Sequence, residues 1–120
     1  ILIVDDNPAI REILTEALAA AGHVVVEASD GQEALDLAQI SRPSLILLDL
    51  NIPVVSGFSF VAAAQERDIN APILLVTADP RAAQVAVGEQ IVGYLAKPFD
   101  LDAVIDRVAT ALNRRHQLAT

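Results

Sequence analysis

The sequence predicts an α/β protein, a doubly wound five-stranded parallel sheet with helices on both faces. Three observations point there. Short unbroken aliphatic runs recur, among them Ile1-Leu2-Ile3-Val4, Leu45-Ile46-Leu47-Leu48 and Ile73-Leu74-Leu75-Val76; such runs suit strands buried on both faces. Segments of helical periodicity separate them, and this alternation implies right-handed crossovers between parallel strands. The runs end on polar residues, Asp5, Asp49 and Thr77. An ionised acid is costly to bury, so Asp49 belongs at the open end of its strand.

Each element has its own warrant. Ile1 to Val4 is the first strand. Asn7-Pro8 supplies a cap and a first helical residue, and Ile10, Ile13, Leu14, Ala17, Leu18 and Ala21 follow at the spacing of one helix face. Gly22 stops that helix, and Val24-Val25-Val26 reads as the second strand. Asp30 caps the second helix, with Glu33 completing a capping-box-like pattern; Ala34, Leu35, Leu37 and Ala38 give it an apolar side. Pro43 breaks the chain before the third strand. Leu50 to Ser56 is a loop punctuated by Pro53 and Gly57, and Phe60, Val61 and Ala64 mark the third helix. Pro72 precedes the fourth strand, Ile73 to Thr77. Pro80 opens a short, Ala-rich fourth helix over Ala82 to Val87, whose small residues bury little area. Val92 to Ala96 is the fifth strand, ended by Lys97-Pro98. Asp100 caps a last helix with Leu101, Val104, Ile105, Val108, Ala109 and Leu112 on one face. Arg114 and Arg115 near its end suit the helix dipole, and His23 and His116 read as surface.

Composition narrows the function classes. The 120 residues fit one domain, and 53% hydrophobic content builds a core without staples. The absence of Cys excludes disulfides and thiolate metal sites. A net charge of -8 argues against nucleic-acid binding by this segment. No apolar run approaches the roughly 20 residues of a membrane span. No signal peptide is expected ahead of a chain that opens on a strand, where a few residues are expected to be missing, and a cytoplasmic domain is the expectation.

Five strand-helix units fit the flavodoxin-like order 2-1-3-4-5, whose crevice lies at the ends of strands one and three. Asp5, Asp6 and Asp49 then surround one cleft. Three carboxylates repel one another unless something positive joins them. Oxygen-only ligation suits a hard cation, and an open site with few carboxylates suits Mg²⁺. Thr77 and Lys97 end the neighbouring strands, where their donors can hold the oxygens of a phosphoryl group.

With these residues in place, the chain resembles the receiver domain of two-component response regulators over essentially its whole length. The matching pieces are Val4-Asp5-Asp6, Leu47-Leu48-Asp49-Leu50-Asn51-Ile52-Pro53 with Gly57, Val76-Thr77-Ala78, and Tyr94-Leu95-Ala96-Lys97-Pro98-Phe99. Receivers are standard members of the fold with that strand order, so the order is part of the resemblance rather than a separate derivation. The resemblance implies that Asp49 accepts a phosphoryl group from a phosphohistidine on a histidine kinase or phosphotransfer protein. It implies Asp6 and Asp49 as side-chain Mg²⁺ ligands, Asp5 acting mainly through water, and Asn51 lending its backbone carbonyl. Thr77 would bond a phosphoryl oxygen and Lys97 would pair with its charge. Tyr94 matches the aromatic switch, turning inward as Thr77 moves toward Asp49. Lys97-Pro98 matches a bond that is usually cis. Asn51 and Asp79 match the positions that tune dephosphorylation; both are small, which implies a comparatively short-lived phosphorylated state.

The implied protein is a phosphorylation-dependent signalling switch. It catalyses its own phosphotransfer and dephosphorylation but is not a turnover enzyme. Its α4-β5-α5 face would control an output domain or downstream protein, and a homodimer through that face is allowed. The receiver would span residues 1–113, with 114–120 a C-terminal tail or the start of a linker, as in either a single-domain regulator or a piece of a longer one. The resemblance departs at Gly88-Glu89-Gln90-Ile91-Val92-Gly93, which lacks the usual Ala-Gly-Ala, in a slightly short run from Thr77 to Lys97. That bears on the fourth helix and the output face.

Taken singly, each of these residues has an ordinary structural reading: Asp5-Asp6 at a helix dipole, Asp49 in a turn, Thr77 as a β-branched strand residue, Lys97 as a solvated charge, and Tyr94 as half-buried packing. Their convergence on one crevice favours function. A flavin carrier of this fold would need a loop that welcomes phosphate, where Asp5-Asp6-Asn7-Pro8 repels it. A phosphatase of similar topology would need a second acid where Asn51 stands. A pseudo-receiver, acting as a constitutive interaction module, is the remaining alternative; it would usually have lost an acid or the lysine.

Overall fold

A computed structural model describes residues 1–85 and 90–119. The elements alternate as expected: β1 (Leu2–Val4), α1 (Pro8–Ala20), β2 (Val26–Ala28), α2 (Gly31–Ser41), β3 (Ile46–Leu48), α3 (Gly57–Glu66), β4 (Ile73–Thr77), α4 (Ala82–Val85), β5 (Ile91–Ala96) and α5 (Leu101–Ala119). All strand pairs are parallel, in the order β2-β1-β3-β4-β5.

Strand side chains alternate between the two faces of a sheet, and this splits the aliphatic runs into two cores. Leu2, Val4, Ile46, Leu48, Ile73 and Leu75 pack under Leu35, Ala38, Phe60 and Ala64 of α2 and α3. Ile3, Leu47, Leu74 and Val76 pack under Leu14 and Leu18 of α1 and Val104 and Val108 of α5. The sheet is thus covered on both sides, and its polar strand ends are left at one edge.

Helix starts follow the capping residues. Asn7 accepts from the amides of Ala9 and Ile10, and Pro8 takes the first helical position. Gly22, at φ 96°, turns the chain out of α1 while the His23 amide closes on Leu18 O at 3.0 Å. Asp30 accepts from the Glu33 amide, but the Glu33 carboxylate takes the Ser29 hydroxyl rather than closing the capping box on the backbone. Gly57 is needed at the start of α3, because a Cβ there would lie 2.7 Å from Asp49 O.

Several boundaries differ from expectation. β2 begins at Val26, and Val24 is 83% exposed. The pairing of Leu2, Ile3 and Val4 with Val26, Glu27 and Ala28 sets this edge strand, not the apolar triplet. On the helix faces, Ile13, Ala21 and Ala109 are exposed, and His23 is half-buried rather than at the surface. β5 starts one residue early, and its ladder with β4 slips between Ile73 and Leu74, leaving Val92 as an extra residue. α4 is described only as Ala82–Val85, so its expected continuation to Val87 lies outside the described residues, as does the Gly88-Glu89 part of the departing stretch. The α5 backbone runs on to Ala119, past the expected end of the unit at residue 113; the side chains of Arg114, Arg115 and His116, and Thr120, lie outside the described residues. No helix among the described residues is long and apolar enough to cross a membrane.

Candidate functional site

The ends of β1, β3, β4 and β5 bring Asp5, Asp49, Thr77 and Lys97 to one edge of the sheet. Asp5, Asp49 and Thr77 are each at most 5% exposed. Asp5 and Asp49 immediately follow strands that are buried along their whole length, so the chain carries them inward. Asp6, one residue on, is exposed and makes no hydrogen bond or ion pair among the described residues. The three acids each place one carboxylate oxygen within 4.8 Å of the others, close enough to share a single cation.

Lys97 already joins two of them. Its Nζ donates to Asp5 Oδ2 at 2.6 Å and to Asp49 Oδ2 at 2.7 Å. The expectation of mutually uncompensated acids is therefore corrected: one ammonium bridges the two buried carboxylates, and only Asp6 stands apart. Burial pulls the Lys97 pKa down, but the hydrogen bonds and charges of Asp49 and Asp5 outweigh it and hold the amine above the ordinary lysine value. The bond between Lys97 and Pro98 is cis, as the resemblance implied.

Asp49 is held at both oxygens. Lys97 takes Oδ2; the Thr77 hydroxyl donates to Oδ1 at 2.7 Å, and the Asn51 amide donates to Oδ1 at 3.0 Å. Thr77 was expected to travel toward Asp49 on activation. Its hydroxyl is in contact already, while Tyr94 on β5 is 43% exposed. Asp5 is fixed by the Asn7 amide at Oδ1, and Arg11 reaches from α1 to donate to its backbone carbonyl.

Asp79 is the fourth buried polar residue among the described residues. Its amide donates to Thr77 Oγ1 at 3.2 Å, so it stands one bond from the residue that holds Asp49. Arg81 grips its carboxylate through Nε at 2.9 Å and a terminal nitrogen at 2.7 Å, and the Arg81 amide adds a third bond at 2.9 Å. These bonds, the Arg81 side chain's above all, lower the Asp79 pKa to about 2. The guanidinium in turn stacks 4.4 Å from the Phe58 ring centroid. Arg81 and Phe58 carry no motif and were not singled out from sequence; the only signal is an arginine directly after the Asp79-Pro80 turn.

Chemically, the arrangement presents a carboxylate with an ammonium and a hydroxyl donor on its two oxygens, beside an acidic cluster whose donor set suits a hard cation. An electrophilic group carrying oxygens, once attached to Asp49, would meet Lys97 and Thr77 as charge-assisted and neutral donors.

Known proteins bear the same stamp. The family model for the response regulator receiver domain matches residues 1–109. The transcriptional regulatory protein PrrA of Mycobacterium bovis is 38% identical over the full chain, which covers 52% of that protein. The chain thus spans about half the length of the curated relatives it matches. Among solved structures, Vibrio cholerae chemotaxis protein CheY4 superposes with a TM-score of 0.82 at 36% identity, covering 92% of this chain and 96% of that one. The receiver domain of the Francisella response regulator 1452 gives 0.87 at 26% identity, covering 95% and 96%.

Proposed function

The chain belongs to the response regulator receiver domain family, and from that premise we propose that it is a phosphorylation-dependent switch whose phosphoacceptor is Asp49. One observation carries the choice of residue. Among the described residues, Asp49 is the acid whose two oxygens take a hydroxyl and an ammonium together, each at 2.7 Å. In the proposed step an Asp49 oxygen attacks phosphorus, the bond from phosphorus to the donor's imidazole nitrogen breaks, and its electron pair leaves with the imidazole. The product carries up to two charges and three acceptor oxygens, toward which Lys97 and Thr77 supply donors.

The acidic cluster fits a hard cation by its donor set. Asp6 and Asp49, with the Asn51 carbonyl and Asp5 through water, are the residues proposed to hold Mg²⁺, which when bound would offset the charge on the phosphoryl oxygens. The apolar residues Ile10, Ile13, Pro98, Phe99 and Leu101 line a shallow groove beside Lys97. They offer a docking rim for a histidine kinase or phosphotransfer protein.

The rest of the reading is proposed with it. Phosphorylation repacks the α4-β5-α5 face through Thr77 and Tyr94, and that face controls an output domain or a downstream protein or pairs with a second copy. The receiver unit is residues 1–113, with 114–120 a C-terminal tail or the start of a linker. It works in the cytoplasm, without contact to nucleic acid or membrane by this segment, and turns over no external substrate. Asn51 and Asp79 flank the path of the water that ends the signal.

The test is incubation with a small-molecule phosphodonor and Mg²⁺ followed by intact mass and peptide mapping. One phosphate is expected on Asp49, none in Asp49→Ala, and uptake without a downstream response in Lys97→Ala. A wild type that takes no phosphate, or takes it elsewhere, would leave the constitutive pseudo-receiver as the better account.

A further inference from the structure

Asp79 is surrounded in a way that bears on how long a phosphoryl group survives. A carboxylate has roughly four acceptor positions. Arg81 occupies three of them, through its side chain twice and its amide once. Little acceptor capacity is left for a water molecule. Yet Asp79 stands next to the reaction, its amide on the Thr77 oxygen whose hydroxyl donates to Asp49.

Resting on the proposed role of Asp49, we propose that Arg81 is a positioning residue for dephosphorylation: by occupying the Asp79 carboxylate it withdraws that group from the attacking water and prolongs the phosphorylated state. In hydrolysis a water oxygen attacks phosphorus, the bond from phosphorus to the Asp49 oxygen breaks, and its electron pair returns to the carboxylate. The water proton leaves with inorganic phosphate or solvent. A carboxylate with a free oxygen beside that path would accept a hydrogen bond from the water and align it. Held in the arginine fork, Asp79 does not.

The fork is preorganised from outside. Phe58 backs the guanidinium at 4.4 Å. Phe58 follows Gly57, whose lack of a Cβ lets α3 start against the backbone of Asp49 and Leu50. The clamp therefore ties the turn after β4 to the loop that carries Asp49. A lysine at position 81 would keep the charge but not the two parallel bonds. The Arg81 side chain is 60% exposed, so its replacement leaves the core intact.

Wild type, Arg81→Ala, Arg81→Lys, Phe58→Ala, Asp79→Ala and the Arg81→Ala/Asp79→Ala double variant are charged with an acyl phosphate and Mg²⁺. The donor is then removed and loss of phosphate is followed by intact mass. Arg81→Ala is expected to decay several-fold faster than wild type, below the roughly 100-fold of a fully placed general base. Arg81→Lys and Phe58→Ala should fall between the two. In the Asp79→Ala background the Arg81 substitution should change nothing, a dependence that a merely structural role would not produce. An unchanged decay rate in Arg81→Ala, or an equal acceleration with and without Asp79, overturns the inference while leaving the phosphoacceptor reading intact. Absence of phosphate from wild-type Asp49 overturns both, and the mass measurement separates the two failures.

Discussion

The interior of the sheet and its β5 side are built on different terms. β1, β3 and β4 are buried at every residue, and the polar groups at their ends are locked to one another. Lys97, Asp5, Asp49 and Thr77 are joined to one another by bonds of 2.6 to 2.7 Å. β5 instead alternates toward solvent, slips its ladder by one residue after Ile73, and leaves Tyr94 43% exposed. The Arg107 guanidinium lies where a Cβ on Gly93 would have to go. Group transfer needs donors that do not reorganise, whereas a relay needs a face that repacks at little cost. On the proposed function, the first region would serve the former need and the second the latter.

The largest effect should come from breaking the locked region at its cation. Lys97→Ala leaves Asp5 and Asp49 buried side by side with no ammonium between them. Removing one partner of a buried pair costs about 3–5 kcal/mol, and the partial opening of this site argues for roughly 2–3. The melting temperature in chelator should fall accordingly, and Mg²⁺ should restore part of the loss. An unchanged melting temperature would mean that the bridge is not what holds this half together. The pH dependence has a definite sign. The folded Lys97 pKa is raised, so its contribution is fully present below the ordinary lysine value of 10.5 and is lost only as pH rises through the higher folded value. Wild type and variant should therefore differ by a constant amount across neutral pH.

Asp6 should behave in the opposite way. It is exposed and unpaired among the described residues, so Asp6→Ala should change metal-free stability by no more than about 0.5 kcal/mol, or raise it slightly. The same variant should lose the thermal shift that Mg²⁺ gives the wild type by mass action. Equal shifts in the two proteins would remove Asp6 from the cation site, and a clear loss of stability in chelator would place it with the structural acids.

The contrast between the regions also marks what the chain discloses in sequence. The aliphatic runs of β1, β3 and β4 announce buried strands, and Asp49 and Thr77 are legible as the polar residues that end two of them. The edge is harder to read. Val24-Val25-Val26 looks more strand-like than Val26-Glu27-Ala28, yet register with β1 decides, and Val24 ends 83% exposed. Partnerships across elements carry no spacing signal at all. Nothing in the order of residues says that Lys97 will bridge Asp5 and Asp49, or that Arg81 will leave the turn after β4 to fork Asp79 under Phe58. Those contacts exist only once crossovers have set α3 beside the end of β4.

The smallest energetic effect should carry the most information about the β5 side. Tyr94 loses little on truncation because nearly half of it faces solvent, and Tyr94→Ala should cost no more than about 1 kcal/mol. It should take phosphate on Asp49 as the wild type does, since no bond of the Asp49 network passes through it. Yet Tyr94 pairs in the ladder with Leu75, two residues before Thr77, and it is the aromatic on the strand beside the Thr77 hydroxyl. If phosphorylation draws that hydroxyl from an Asp49 oxygen to a phosphoryl oxygen, the packing next to Thr77 changes, and Tyr94 is the side chain with both the bulk and the exposure to answer. Amide hydrogen exchange over β5 and the start of α4 should therefore shift on phosphorylation in the wild type and stay flat in Tyr94→Ala. A variant that shows the full shift would move the relay elsewhere on this face. One that loses well over 1 kcal/mol would make β5 as structural as β1 and β3, and the two regions would no longer differ in kind.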